Sequence, residues 1–129
     1  MLLEVNNLSI SFMHDGSPLS VVSGVSFSIR KGEILALVGE SGCGKSVTCM
    51  ALTRLLPEKS ALYTSGKITF QSDNREYSVL ELGSRQLRSL RGGKVGYIFQ
   101  EPSSSLNPVY RVGDQIAESI HLHTPKETD

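Results

Sequence analysis

Gly39-Glu40-Ser41-Gly42-Cys43-Gly44-Lys45-Ser46 decides how the rest of the chain is read. The octapeptide fills every fixed position of the pattern G-x-x-x-x-G-K-[ST]. At ordinary residue frequencies a chance match in a chain this short is on the order of a few in a thousand. The flanks supply the context the pattern needs. Ile34 to Val38 is a short apolar run that reads as a buried parallel strand. After Lys45, the residues Val47, Met50, Ala51 and Leu55 recur at helical spacing. Strand, glycine loop and helix follow one another. The competing reading is a glycine-rich strand-to-helix turn with a surface lysine.

The spacing implies a ligand with a phosphate tail, and a nucleotide triphosphate fits it best. Glycines at 39, 42 and 44 allow a tight turn through backbone conformations closed to other residues. Backbone N–H groups from about Gly42 to Val47 can then point at phosphate oxygens, and the start of the following helix favours an anion. Lys45 would reach the β- and γ-phosphates as a point charge. The Ser46 hydroxyl would ligate Mg²⁺.

Size and composition bound the rest. The 129 residues are about one domain's worth, with an ordinary apolar fraction. Thirteen basic residues balance thirteen acidic ones, which argues against a nucleic-acid or membrane-surface role driven by bulk charge. No apolar run approaches the ~20 residues that span a bilayer. Met1-Leu2-Leu3-Glu4 lacks the basic start and long apolar core of a signal peptide. Cys43 and Cys49 lie six apart, and a disulfide there would distort the loop, so reduced thiols and a cytoplasmic setting are expected.

The remaining segments are read as follows. Leu3, Val5, Leu8, Ile10 and Phe12 mark a strand over 2–12, and Val25, Phe27 and Ile29 one face of a second over 21–29. A turn cluster over 14–18 joins them as an antiparallel hairpin. The helix from Lys45 stops before Pro57. Residues 66–70 form a strand with 77–80 as its candidate partner. Residues 84–90 read as a short basic helix broken by Gly92-Gly93, residues 94–99 as a strongly apolar strand, and 100–108 as a loop. Residues 112–122 are helical, with Val112, Ile116, Ala117 and Ile120 along one face, and the tail from Thr124 is polar.

Two further stretches carry a family resemblance. Tyr97-Ile98-Phe99-Gln100-Glu101-Pro102 closely resembles the Q-loop of ABC-type ATPases, and the continuation Ser103-Ser104-Ser105-Leu106-Asn107-Pro108-Val109 resembles that of oligopeptide, dipeptide and nickel importer ATPase subunits. The resemblance covers nearly the whole chain. It implies an α/β P-loop NTPase fold of the ABC nucleotide-binding type, incomplete, with an antiparallel β-subdomain and the first part of a parallel-sheet core. Residues 1–33 and 62–82 would form the β-subdomain, 34–61 and 93–100 the P-loop core, and 101–129 the Q-loop and the start of a helical subdomain.

The resemblance also implies roles at single positions. Gly39, Glu40, Ser41, Gly42, Cys43, Gly44, Lys45, Ser46 and Val47 would bind the phosphates of ATP. Ser46 and Gln100 would serve Mg²⁺. Lys45 and Gln100 would be the catalytic positions, with Gln100 orienting the attacking water. Phe12 sits where the family places an aromatic against adenine, although a strand-end phenylalanine that simply packs is the competing reading. Val21 could flank adenine or sit in the core. Glu101 reads as a loop or solvent contact. Leu90-Arg91-Gly92-Gly93-Lys94 faintly resembles the L-S-G-G-Q signature, but it precedes the Q-loop and reads as a helix end.

No L-S-G-G-Q run, no apolar strand ending in Asp-Glu and no switch histidine follow; His121 and His123 come too early and read as solvated or packing residues. The expectation is therefore the first portion of such a domain, binding ATP without hydrolysing it alone, with exposed sheet edges. As part of an ATPase subunit it would pair with a second ATPase subunit. It would also dock on transmembrane permease subunits, peripherally on the inner face of the cell membrane. A separate solute-binding protein would select a peptide or similar small solute, and no nucleic acid is involved. The alternatives are a soluble non-transport ABC-class ATPase and a binding-only fragment.

Overall fold

The computed structural model describes residues 1–101 and 105–124. The chain divides into two compact units, Met1–Gly83 and Ser84–Asp129. Each is described by itself.

The first unit is built on a four-stranded antiparallel sheet. Its strands are β1 (Leu3–His14), β2 (Ser17–Ile29), β3 (Ala61–Ser72) and β4 (Arg75–Ser78), in spatial order β2-β1-β3-β4. β1 is central, and its Leu3 lies opposite Ile29 on one side and Phe70 on the other. Two-residue turns fix both hairpins. Asp15 and Gly16 have φ of 48° and 77°, and Asp73 and Asn74 have φ of 52° and 59°. Two successive positive φ values give the turn whose twist matches that of paired strands. The β1–β2 hairpin thus starts its return at Ser17, four residues before the expected Val21.

β1 carries a bulge that keeps its apolar residues on one face. Leu3 and Val5 are buried, then Leu8 and Ile10, so the alternation skips one residue at Asn6–Asn7. Asn7 has φ 48°, and the register of β1 shifts here against both neighbours. A one-residue slip would otherwise turn Leu8 and Ile10 to solvent. Three side chains hold the bulge. The Asn7 N–H donates to Ser26 Oγ at 2.8 Å, the Gly24 N–H to Ser9 Oγ at 3.0 Å, and Ser65 Oγ to the Asn7 carbonyl at 3.1 Å. Gly66 on β3 closes against it: a Cβ there would fall 2.5 Å from Leu8 Cα and 2.6 Å from the Asn7 oxygen. Only glycine fits both that space and its φ of 97°.

Ile68, Phe70, Val22 and Ala61 complete the buried face with Ala51, Leu56, Val79 and Leu82. Full burial of a side chain such as Ile68 contributes roughly 1.5–3 kcal/mol. Phe70 and Tyr77, paired across β3 and β4, have ring centroids 6.5 Å apart.

Helix α1 (Lys45–Ala51) ends earlier than the distance to Pro57 suggested. The Leu55 N–H donates to the Met50 carbonyl and the Arg54 N–H to that of Ala51, with Arg54 at φ 55°. This pair of bonds around a left-handed residue satisfies the last helical carbonyls. Glycine is the usual occupant. Here the arginine's guanidinium gains a 2.7 Å bond to the Leu82 carbonyl, tying the helix exit to a 3-10 turn over Val79–Glu81.

Residues 34–38, expected as a strand, belong to no ladder among the described residues. Ile34 and Val38 are 96% and 91% exposed. A strand apolar on both faces needs a hydrogen-bonded neighbour on each side, and the four described strands pair only with one another.

The second unit holds α2 (Ser84–Leu90) and α3 (Val112–His123). Leu87 and Leu90 are buried, while Arg85 and Arg88 face solvent. Past Gly92-Gly93 the chain returns through a single parallel bridge, Arg91 to Val95. The strand expected over 94–99 does not form beyond that bridge. Tyr97 and Phe99 stack at 6.0 Å, the spacing of side chains two apart on an extended backbone, but no ladder takes them up. The expected helix over 112–122 is present. Its Gln115 side chain closes the preceding loop: Oε1 accepts from the Asn107 N–H at 2.8 Å, and Nε2 donates to the carbonyls of Asn107 and Tyr110.

Candidate functional site

The glycine loop lies in the first unit and is anchored at Gly44. This residue is the N-cap of α1, with φ 88° and ψ 5°. A Cβ at Gly44 would stand 2.8 Å from the Val21 carbonyl oxygen and 3.2 Å from Val22 Cγ2, so the loop rests on β2 with no room for a side chain. One turn on, buried Thr48 donates both its N–H (2.8 Å) and its hydroxyl (2.9 Å) to the Gly44 carbonyl. Thr48 was not read from the sequence as part of the site. Its signal is the four-residue spacing from Gly44, which lets a threonine hydroxyl bond back to the preceding turn.

Lys45 turns back across the loop mouth. Its ammonium donates to the Gly39 carbonyl at 2.7 Å and to the Glu40 carbonyl, with Cys43 Sγ at 3.4 Å. The Cys43 thiol lies over Gly39, where a Cβ would come within 2.7 Å of its sulfur. Cys43 and Cys49 are both unbridged.

The start of α1 is open for an anion. The first helical bond is donated by Thr48, so the N–H groups of Lys45, Ser46 and Val47 precede the ladder. No acidic residue occupies the first turn, and no side chain caps it. Ser46 is exposed, so its hydroxyl is open to solvent. Donor N–H groups, one ammonium and one hydroxyl on a tight loop are the donor set a magnesium-bound polyphosphate needs. Among the described residues no cluster of three His, Cys, Asp or Glu side chains could by itself hold a metal ion.

Phe12 is half-buried near the end of β1, opposite Leu19 on β2 and Ala61 on β3. Leu19 is two residues from Val21, whose carbonyl meets Gly44. Phe12 and the loop therefore belong to the same region of the first unit. Val21 is itself half-buried. Gln100 belongs to the second unit, exposed at a bend after residues 96–99, with Glu101 exposed beside it. Pro102, Ser103 and Ser104 of the expected Q-loop lie outside the described residues. His123 is exposed, with its ring over Gly92, where a Cβ would come 2.5 Å from Nε2.

The antiparallel sheet, the glycine loop and the helix it opens define part of an ABC-type P-loop nucleotide-binding domain. The chain belongs to the ABC transporter family, whose model matches residues 22–128. It is 50% identical over 123 residues to the glutathione import ATP-binding protein GsiA of Escherichia coli (strain K12), covering 95% of this chain and 20% of that protein. It is 44% identical over 123 residues to the probable peptide ABC transporter ATP-binding protein y4tR of Sinorhizobium fredii (strain NBRC 101917 / NGR234), covering 95% of this chain and 36% of that one. The chain thus spans between a fifth and about a third of the length of these relatives. Its fold is similar to the ATP-binding cassette MJ0796 in a post-hydrolysis dimer bound to ADP and Pi, with a TM-score of 0.76 at 20% identity, over 99% of this chain and 50% of that one.

Proposed function

We propose that this chain supplies the nucleotide-binding part of the ATPase subunit of an ABC importer for peptides or similar small solutes. The observation that supports this best is the Gly44–Lys45 geometry: a left-handed N-cap wedged against β2, followed by an ammonium held across the loop mouth. Gly39 to Val47 would cradle the phosphates of ATP with main-chain N–H groups. Lys45 would exchange its carbonyl partners for β- and γ-phosphate oxygens. Ser46 would ligate Mg²⁺. Phe12 would stack on adenine, and Gln100 would bind the magnesium or its water and orient the attacking water. The import role is supported by the relatives, whose names describe glutathione and peptide transport.

In this reading residues 1–33 and 62–82 form the β-subdomain, 34–61 and 93–100 the core, and 101–129 the Q-loop and the start of the helical subdomain. The segment binds ATP and lacks the carboxylate and signature needed to hydrolyse it. Within the whole subunit a second ATPase subunit would close over the nucleotide, and permease subunits at the inner face of the membrane would receive the motion. No helix among the described residues is long and apolar enough to cross a membrane.

Equilibrium binding of a fluorescent ATP analogue tests the reading. The chain with Mg²⁺ binds, and Lys45→Ala weakens binding at least about tenfold, the loss expected for a charge-assisted bond. Phosphate release stays at background. Equal affinity in the Lys45→Ala chain, or steady release that Lys45→Ala abolishes, overturns it.

A further inference from the structure

Helix α1 buries two of its residues, Thr48 and Ala51, and the first of them is polar. Thr48 is 3% exposed. A buried hydroxyl has to find a partner, and one that bonds back to the preceding turn slightly destabilises its helix. Alanine or valine would fill the position without that cost. What the hydroxyl gains instead is a hold on one carbonyl. The Gly44 oxygen accepts from the Thr48 N–H at 2.8 Å and from the Thr48 hydroxyl at 2.9 Å, so a single residue occupies both of its lone pairs.

That carbonyl belongs to the peptide bond between Gly44 and Lys45. In a trans peptide the C=O and the N–H point in opposite directions. A carbonyl drawn along α1 toward Thr48 therefore turns the Lys45 N–H the other way, toward the glycine loop. This N–H precedes the helical ladder, whose first bond is donated by Thr48. Glycine makes the orientation easy to lose, because it accepts backbone torsions that other residues refuse. A half-turn of the peptide would aim a carbonyl at the loop, and an anion there would meet a dipole of the wrong sign. Two hydrogen bonds from Thr48 oppose that rotation. The second also polarises the amide, which makes its N–H a stronger donor.

We propose that Thr48 is a positioning residue of the phosphate site: its hydroxyl holds the Gly44–Lys45 peptide so that the Lys45 N–H faces the polyphosphate. The inference rests on the nucleotide reading above and adds to it a residue outside the octapeptide, one that acts through the main chain and touches no phosphate itself. Lys45 then serves the ligand twice. Its ammonium, which stands 2.7 Å from the Gly39 carbonyl, comes from the side chain, and its N–H comes from the backbone that Thr48 orients.

The test uses the full chain with Mg²⁺ and compares Thr48→Val, which keeps the volume and removes the hydroxyl, with Thr48→Ser, which keeps the hydroxyl. In calorimetric titration, tripolyphosphate should bind the Thr48→Val chain about threefold to tenfold more weakly, the loss of one net hydrogen bond. Thr48→Ser should restore most of the affinity. In ligand-free amide NMR spectra the Lys45 proton should move upfield in Thr48→Val and return in Thr48→Ser, a signature that a role in helix stability alone would not produce. Equal tripolyphosphate affinity in Thr48→Val, a Lys45 signal that stays in place, or a loss that Thr48→Ser fails to repair overturns the proposal. So does failure of both Thr48→Val and Thr48→Ala to fold, which would assign the hydroxyl to holding the helix. A chain that binds no tripolyphosphate with Thr48 intact overturns the nucleotide reading and this inference together. Binding that is indifferent to Thr48 but lost in Lys45→Ala overturns this inference alone.

Discussion

The carbonyl oxygen of Val21 stands where a methyl group on Gly44 would need to be, at 2.8 Å from an ideal Cβ. The contact joins the second strand of the sheet to the first turn of the helix that follows the glycine loop. It makes the position of the loop a property of the β1–β2 hairpin.

Gly44→Ala should therefore do double damage. The φ of 88° costs an L-residue about 1–2 kcal/mol, and the backbone clash adds to it. We expect a loss of at least about 2 kcal/mol in stability together with loss of ATP-analogue binding. Chemical denaturation followed by circular dichroism checks the first and fluorescence titration the second. Unchanged stability would mean the loop moves freely off β2.

Gly66→Ala should be at least as costly to stability, but for a reason remote from the loop. The new methyl would press on Leu8 Cα and on the carbonyls of Asn6 and Asn7, all main chain of the central strand and unable to rotate away. The expected loss is about 2–4 kcal/mol, read from the denaturation midpoint. A midpoint within error of the unaltered chain would show that the bulge at Asn7 can be rearranged cheaply.

Phe12→Ala separates base from phosphate. Loss of a stacked base costs about 1–3 kcal/mol, so affinity for an ATP analogue should fall roughly fivefold to a hundredfold. Affinity for tripolyphosphate should not change. If both ligands weaken alike, Phe12 acts by supporting the strand, and the packing reading is the right one.

Gln115→Ala removes three hydrogen bonds between the first turns of α3 and the loop ahead of it. Amide hydrogen exchange at Asn107 should accelerate about tenfold, equivalent to an opening cheaper by about 1.4 kcal/mol. Gln115→Glu keeps the acceptor for the Asn107 N–H and loses the donor, so it should fall between. Protection unchanged in both variants would assign the loop's order to other contacts.

Much of the first unit was legible in the sequence because its determinants are local. Asp15-Gly16 announces a hairpin, and the apolar residues from Leu3 to Phe12 announce its first strand, whereas the bulge between Val5 and Leu8 was not read from the sequence. The extent of β3 was less visible. Residues 61–65 precede Gly66, and the glycine looked like a strand start, whereas it is the seat of the bulge on β1. The helix end at Arg54 was hidden because arginine gives no sign of a left-handed conformation. The loop residues 39–47 were legible as a motif, and Thr48 and the Val21 carbonyl were not, since one contributes through its backbond and the other through an atom every residue has. Ile34–Val38 and Lys94–Phe99 show the limit of apolar runs as evidence. The run gives β-propensity, but a ladder needs a neighbour, and sequence spacing does not say which neighbour is within reach.

The two tight turns of the sheet lie at opposite ends of it, because β1 and β3 run antiparallel with Phe12 facing Ala61 and Leu3 facing Phe70. About ten residues of strand, roughly 33 Å, separate them. The Asp73-Asn74 tip is thus the natural handle for a dye, a tether or an inserted peptide tag, far from Phe12. A reporter grafted at Asp15-Gly16 would instead sit three residues from that ring and sense whatever arrives there.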